Sequence, residues 1–517
     1  MPAEAHIRNR RTSLVIRAGP AGLGRLLSVE TMLRIALWSI LLAAITYTTA
    51  DPDLWGHVRF GLDILRDRTI PHLDPYSFSS DQSWINHEWA AEALAAGAFR
   101  IGGNTGLILV KVALVAAMLL LLDATLRREG VDASRARDVL AAIAMITTLE
   151  QAFHVRPQVF SLAFFAALLA CLTAARRTRQ WLVLLPPLFA VWANLHGGWM
   201  VGGGVLALWT AGVAVSGRAK DAAWLAAAGA ASLCATLINP YGFGLWHFLR
   251  DTIGFGRADI AEWQPVYALG WNASVRWCAA LALGLFGVRA GGAERHPERL
   301  AVVVALGVAS LMVTRLLGFF ALAVLFLFGP ALGDAYRRHY ARRPVGQRRA
   351  PRRVLAAVAL TIAGAAAFVV AMNLGRLRVD PRFTPERDAV AFLKNQPNAR
   401  RVLVWFDWGE YAIWHLSPGA RVSIDGRRET VYSADLQERH LRFYFDAPGG
   451  AALPRELGAD YIWIPRALPA ARRLEADSGW QRVYEGAQSV VFARTGLKAA
   501  SVPILVSAAI PRTFPGP

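Results

Sequence analysis

An α-helical polytopic membrane protein with a C-terminal α/β domain is the fold class this sequence predicts, and three observations predict it. Hydrophobic residues make up 55% of the 517-residue chain and the mean hydropathy is +0.34, too apolar for an ordinary soluble domain. The apolar residues fall into runs of roughly 17 to 22, long enough to cross ~30 Å of hydrocarbon as helices. Arginines gather in alternate connections between those runs, the asymmetry expected of loops that face the cytoplasm.

The runs place helices at about 32–50, 105–126, 138–154, 158–175, 180–196, 198–216, 221–238, 275–290, 299–314, 316–333 and 353–373, about eleven in all. The first follows an arginine-rich leader and shows no small-residue cleavage site, so it reads as a retained helix. Basic connections hold Arg127, Arg128, Arg135 and Arg137, then Arg176, Arg177 and Arg179, then Arg218 and Lys220, then Arg289, Arg295 and Arg299, then a dense block from Arg337 to Arg353. The connections between them hold only Arg156, Arg250, Arg257 and Arg315 outside the long first one. This pattern puts the N-terminus in the cytoplasm, and an odd helix number puts the C-terminal region outside. It also accounts for the net charge of +19. Basic residues dispersed over several loops, with no accompanying nucleic-acid motif, exclude a nucleic-acid partner. Cys171, Cys234 and Cys278 lie in or beside apolar runs without paired spacing, so neither a disulfide nor a thiolate metal site is expected.

The expected organisation is a basic cytoplasmic leader (1–31), a transmembrane domain (32–375) with long outer loops at 51–104 and 239–274, a periplasmic α/β domain (376–495) and a tail (496–517). In the first outer loop, Asp53 to Arg68 and His87 to Arg100 read as amphipathic helices along the interface. In the α/β domain, Pro385 to Asn395 and Ser433 to Tyr444 read as helices, Arg401 to Trp405, Arg421 to Ile424 and Tyr461 to Pro465 as strands, and Gln481 to Ala493 as a hairpin.

Polar residues of varied chemistry concentrate at the expected outer helix ends. Asp51-Pro52-Asp53 follows the first helix directly, where a carboxylate backed by a low-dielectric wall can accept a proton from a hydroxyl or bind a metal ion; the plainer reading is a cap for the helix from Leu54. Glu150, His154, Arg156 and Gln158 cluster at the end of the third helix, with Arg156 suited to a phosphate or, more plainly, to the interface. Asn194 and His196 precede two glycines in a tight outer turn. Arg315 is the only charge between two long apolar helices and must face protein, water or a headgroup. His57, His87 and Glu88 add titratable groups in the first loop; His87-Glu88-Trp89 lacks the second histidine of a zinc-protease helix. Lys111 reads as a snorkelling residue.

These features together resemble the GT-C superfamily of membrane glycosyltransferases, whose members have an acid just after the first helix and a second acidic motif at the outer end of the third. Asp51 and Asp53 match the first position and Glu150 the second. Trp405-Phe406-Asp407-Trp408-Gly409, followed by Ile424-Asp425-Gly426-Arg427, is similar to the WWDYG motif of oligosaccharyltransferase catalytic subunits, with departures at Phe406 and Trp408. The alternative for that segment is a strand running into a turn with its aromatics packed under the domain.

The resemblance implies a GT-C-like fold and transfer of a sugar from a polyprenyl-phosphate donor to a glycan, lipid or protein acceptor at the outer face of a bacterial inner membrane. It implies Asp51, Asp53 and Glu150 as catalytic acids, with a divalent ion (Mg or Mn) on the same three as an option. Arg156, His196, Arg315 and His154 would hold the lipid phosphate. His57, His87, Glu88, Asn194, Trp405, Asp407, Trp408, Asp425 and Arg427 would bind the acceptor. The rival readings are a transporter or flippase for a lipid-linked saccharide, and a non-catalytic protein of envelope assembly.

Overall fold

Each apolar run forms a helix, because a chain that cannot bond its amides to water must bond them internally. The structure, a computed structural model, describes residues 29–148, 153–252, 260–291, 296–341, 352–380, 384–497 and 513–516. The membrane-domain helices are α1 (Val29–Thr46), α2 (Leu54–Asp67), α3 (Trp89–Arg128), α4 (Ser134–Thr147), α5 (Gln158–Ala175), α6 (Leu185–Leu195), α7 (Trp199–Val215), α8 (Ala219–Ala235), α9 (Phe243–Thr252), α10 (Trp271–Gly291), α11 (Pro297–Met312), α12 (Leu317–Ala341) and α13 (Arg352–Asn373). Helices therefore stand at all eleven expected positions. Five of them, α3, α5, α10, α12 and α13, are long and apolar enough to cross a membrane. The stretch Leu317–Phe328 of α12 is apolar all round and almost entirely buried, which marks it as the central helix of the bundle; α4, α5, α10 and α11 pack around it.

Two local expectations are corrected. The amphipathic stretch from His87 to Arg100 is continuous with the next helix. Gly103 absorbs the change of direction at φ 55°, ψ −139°, a conformation open to glycine because it has no Cβ. Lys111 does not snorkel. It is 1% exposed, and its Nζ donates to Tyr47 O (2.8 Å) and Thr48 Oγ1 (2.7 Å), tying the orphan carbonyls at the end of α1 to α3.

The C-terminal domain carries α14 (Arg387–Lys394), α15 (Gly409–Leu416), α16 (Ala434–Tyr444), α17 (Leu453–Glu456) and α18 (Pro469–Ala476) around β1 (Arg401–Val404), β2 (Arg421–Val422), β3 (Tyr461–Pro465), β4 (Trp480–Glu485) and β5 (Ser489–Arg494). The sheet order is β2-β1-β3-β5-β4; β2, β1 and β3 run parallel, and β5 and β4 complete it antiparallel. Ser77 of the first loop bridges to Val422 at the β2 edge, with Val422 N–H donating to Tyr76 O and Phe78 N–H to Val422 O, both 3.0 Å. The loop thereby covers an otherwise open edge.

Arg427 fixes that junction. Its guanidinium donates to both oxygens of Asp74 (2.8 and 2.9 Å) and to Asp425 (2.8 and 2.7 Å). It also lies 4.8 Å from the Phe60 ring and 4.6 Å from that of Trp84. All three charged side chains are buried, and the bidentate geometry is the kind that offsets the desolvation of such a cluster. The first loop and the C-terminal domain consequently share one hydrophobic core, in which Trp55, Phe60, Tyr76 and Trp84 pack with Tyr411, Tyr432 and Trp463.

Candidate active site

The segment after α1 is clamped on both sides: Thr49 N–H donates to Phe153 O (3.0 Å), Ala50 N–H to Arg378 O (2.6 Å) and Arg378 N–H to Thr48 O (3.1 Å). His154 Nδ1 lies 3.0 Å from Thr49 Oγ1, so His154 braces this segment. The clamp delivers Asp51 to the N-terminus of α5, where its carboxylate pairs with Arg156 and accepts from Asp53 N–H (2.9 Å). Burial works against ionisation of Asp51, but Arg156 and His154 outweigh it and leave the carboxyl below its ordinary range. Asp53 occupies the N-cap position of α2 without using its side chain as a cap. Burial and the Asp51 charge beside it push Asp53 up to about 7. Two carboxyls two residues apart are thus driven in opposite directions, one a permanent anion and one poised to exchange a proton near neutrality.

A third acid, absent from the sequence reading, joins them. Glu410 follows the aromatic motif directly, in the first turn of α15, and its Oε2 accepts from Gly56 N–H (3.0 Å). A Cβ on Gly56 would collide with the Glu410 carboxylate, and one on Gly426 would collide with that of Asp53 while lying 3.0 Å from Glu410 Oε1. Glycine at both positions lets the three segments meet. Glu410 is held well above the ordinary carboxylate range by burial, then by Asp53 and Asp425.

Arg156 continues the network. Its Nη1 donates to Glu262 Oε2 (3.0 Å), and Glu262 Oε1 accepts from Arg315 Nη1 (2.6 Å). Arg315 Nη2 lies 3.2 Å from His196 Nε2, and His196 Nδ1 meets Ser161 Oγ at 2.7 Å. Burial, with Arg315 and His87 adding to it, takes His196 down to about 3, a neutral imidazole. Glu88 sits among His87 (3.6 Å), His196 (3.6 Å) and His57 (4.0 Å). Its burial is outweighed by His87, His57 and Arg315, so it stays ionised. His57 is raised to about 9: burial opposes its charge, but the hydrogen bond to Glu92 and the nearby Glu88 carboxylate prevail.

The structure therefore gathers Asp51, Asp53, His57, His87, Glu88, Arg156, His196 and Arg315 into one site and adds Glu92, Glu262 and Glu410. Glu150 lies outside the described residues. Asn194 is spent on the scaffold: its Oδ1 accepts from Trp89 Nε1 (2.8 Å), and its Nδ2 donates to Ala190 O and Ile238 O. Trp408 is 3% exposed and packs 5.8 Å from Trp463. Trp405 packs 4.8 Å from Tyr444 and donates from Nε1 to Asp407 Oδ2 (3.2 Å), within the C-terminal domain. Asp425 and Arg427 stand behind Asp53 and Glu410 in the buried cluster described above. Among the described residues, no group of three or more His, Cys, Asp and Glu side chains is arranged to hold a metal ion. Asp51 has one oxygen on Arg156 and the other on Asp53 N–H.

An apolar groove of about 440 Å³ opens from the site between α2, α3 and α5. Ala91, Ala95, Leu107, Val110 and Leu114 of α3 and Val159 and Phe160 of α5 line it, and His57 and Arg156 stand at its polar end.

No family model matches the sequence, and no curated protein does. Solved structures do match the fold. Archaeal oligosaccharyltransferase AglB from Archaeoglobus fulgidus, in complex with an inhibitory peptide and a dolichol-phosphate, is similar with a TM-score of 0.56 at 14% identity, over 84% of this chain and 69% of its own. ArnT from Cupriavidus metallidurans is similar in the apo state, with a TM-score of 0.55 at 13% identity over 92% of this chain and 98% of its own. The same protein bound to undecaprenyl phosphate gives 0.54, 13%, 93% and 100%. The helical membrane fold expected from the resemblance is borne out to this extent: the chain shares its fold with AglB and with ArnT.

Proposed function

We propose that the protein is a glycosyltransferase that takes its sugar from a polyprenyl-phosphate donor at the outer face of a bacterial inner membrane. The observation that carries this reading is the groove: an apolar channel between α3 and α5 that ends on the guanidinium of Arg156, beside two acids of opposed basicity. A prenyl chain matches the channel and a phosphate matches Arg156, with Arg315 and a charged His57 adding positive potential. ArnT bound to undecaprenyl phosphate and AglB with a dolichol-phosphate share the fold, which supports a lipid-phosphate ligand. The outer location rests on the arginine pattern, since the site lies at the arginine-poor ends of the helices.

The chemistry assigned to the residues is inverting transfer. The acceptor oxygen forms a bond to the anomeric carbon as the bond from that carbon to the phosphate oxygen breaks, and the phosphate leaves with the electron pair. Asp53, raised to about 7, receives the acceptor's proton; Asp51, held by Arg156, is the weaker base and orients that arginine. Nothing in this step is routed through a metal ion. The acceptor is a hydroxyl or amide of a glycan, lipid or protein.

Binding of a fluorescent polyprenyl phosphate to the purified protein in nanodiscs tests the reading, with Val110→Trp filling the groove and Arg156→Gln removing the phosphate partner. Both variants should bind at least tenfold more weakly while remaining folded. Wild-type affinity in both would remove the basis for the assignment.

A further inference from the structure

At the bundle end remote from the acids, α3 and α5 finish side by side in Arg127-Arg128 and Ala175-Arg176-Arg177. The eighteen residues of α5 separate the two ends by about 27 Å at 1.5 Å per residue. Between the last turns of both helices and the 3-10 turn Arg179–Leu184 lies a second pocket of about 410 Å³, walled by Thr125, Arg128, Glu129, Thr173, Arg177 and Trp181 among others.

Three features of this pocket call for an anion. The first is charge. Glu129 is paired by Arg299 (2.8 Å), with Arg177 at 3.8 Å and Arg176 at 3.9 Å. Glu298 lies 3.7 Å from Arg176 and is itself met by Arg218 (2.9 Å), so that with Arg128 there are five guanidinium groups against two carboxylates. The two helix C-termini contribute about −0.5 each, which leaves a local excess of about +2.

The second is Thr125, which is 2% exposed and lines the pocket, yet its hydroxyl makes no hydrogen bond among the described residues. A helical threonine ordinarily returns its hydroxyl to a carbonyl one turn back. Thr173, on the facing wall, does so with Leu169 O at 2.8 Å. A buried polar group left without a partner needs an explanation, and an unseen ligand is one. The third is that Arg128 lies 4.5 Å over the Trp181 ring, which restrains an otherwise mobile cation at the rim.

We propose that this pocket binds a phosphate group, with the Thr125 hydroxyl donating to it and Arg128 and Arg177 neutralising it. The phosphate comes either from the headgroup of an anionic membrane lipid or from a free phosphate anion. The site is separate from the one at Arg156 and does not depend on the glycosyltransferase reading. Because α3 and α5 also wall the outer groove, a ligand here would brace the inner ends of the same two helices.

The test uses the full-length protein in nanodiscs with spin-labelled phosphatidylglycerol, and inorganic phosphate as competitor. Thr125→Val is nearly isosteric and should weaken binding of the labelled lipid about tenfold, the loss expected for one hydrogen bond to a charged group. Thr125→Ser should restore it, and Arg128→Gln with Arg177→Gln should weaken it further. Displacement by millimolar phosphate identifies a free anion as the ligand; resistance to it identifies the lipid headgroup. If Thr125→Val binds like the wild type and only the arginine variants lose affinity, the effect is diffuse surface attraction and the site is refuted.

Discussion

Replacing Glu410 by Gln tests whether buried carboxyls meet at the junction of α2 and the C-terminal domain. Glu410 is held above its ordinary range by burial and by Asp53, and Asp53 is held at about 7 by burial and Asp51. A carboxyl raised in this way keeps its proton in the native state while the unfolded chain releases it. The folded protein therefore loses stability as pH climbs above the unfolded value, through to the folded one. Each pH unit in that window costs about 1.4 kcal/mol per group. For Asp53, raised from 3.8 to about 7, the ceiling is about 4 kcal/mol, and its partial exposure brings the effect well below that. Glutamine preserves the volume and can still accept from Gly56 N–H, but it never ionises. The melting temperature of the wild type in detergent should fall between pH 5 and pH 8, while that of Glu410→Gln falls less and is the higher at pH 8. A difference of about one to three degrees is expected, since about 1 kcal/mol moves Tm by roughly 2–4 °C in chains of 150–250 residues and by proportionally less in a longer one. Scans at one fixed rate are the assay, because heat unfolding of such proteins is often irreversible. A Glu410→Gln variant that melts lower than wild type by the same margin at both pH values would refute the reasoning.

Transfer activity should rise with pH through about 7, because Asp53 acts only once deprotonated; a flat profile from pH 5.5 to 8.5 would count against Asp53 as the base. Arg156→Lys keeps the charge but loses the paired donors, so lipid-phosphate affinity should drop about threefold to tenfold, less than in Arg156→Gln; equal losses would mean that charge alone matters there. Arg427→Gln leaves Asp74 and Asp425 buried without their cation, which should cost about 3–5 kcal/mol and expose the first loop to limited proteolysis; a digestion pattern like that of wild type would show that the loop is held by other means. Exhaustive treatment with EDTA should leave transfer within about twofold of untreated enzyme, since Asp51 is engaged by Arg156 and Asp53 N–H; loss restored by Mg or Mn would bring Glu150 and a metal back into the account.

Much of this was legible in the sequence, for identifiable reasons. Hydropathy located the helices because membrane segments must be apolar over their whole length, and alternation of arginines marked which ends carry the polar chemistry. Residues beside a helix end, such as Asp51, Asp53, Arg156, His196 and Arg315, could be nominated from that position alone. What escaped was chemistry made by tertiary approach. Glu262 stands out as a polar residue of the outer loops, but its pairing with Arg156, over 100 residues away, and with Arg315 leaves no mark in the sequence. Glu410 was overlooked because the aromatics before it drew the reading toward Trp405 and Asp407, and these serve the C-terminal domain. The available signal was glycine: Gly56 and Gly426, each placed where a carboxylate needs room. Asp425 and Arg427 looked like ligand-binding groups because buried ion clusters and binding sites draw on the same residue types, and only the partners Asp74, Phe60 and Trp84 reveal the difference.

The most direct measurement is transfer of a labelled sugar from polyprenyl-phosphate donors by the purified protein, run beside Asp53→Asn and Asp51→Asn with folding checked by thermal melt. The account predicts transfer by wild type that falls at least a thousandfold in folded Asp53→Asn, with a smaller loss in Asp51→Asn. Transfer by Asp53→Asn at the wild-type rate would contradict it.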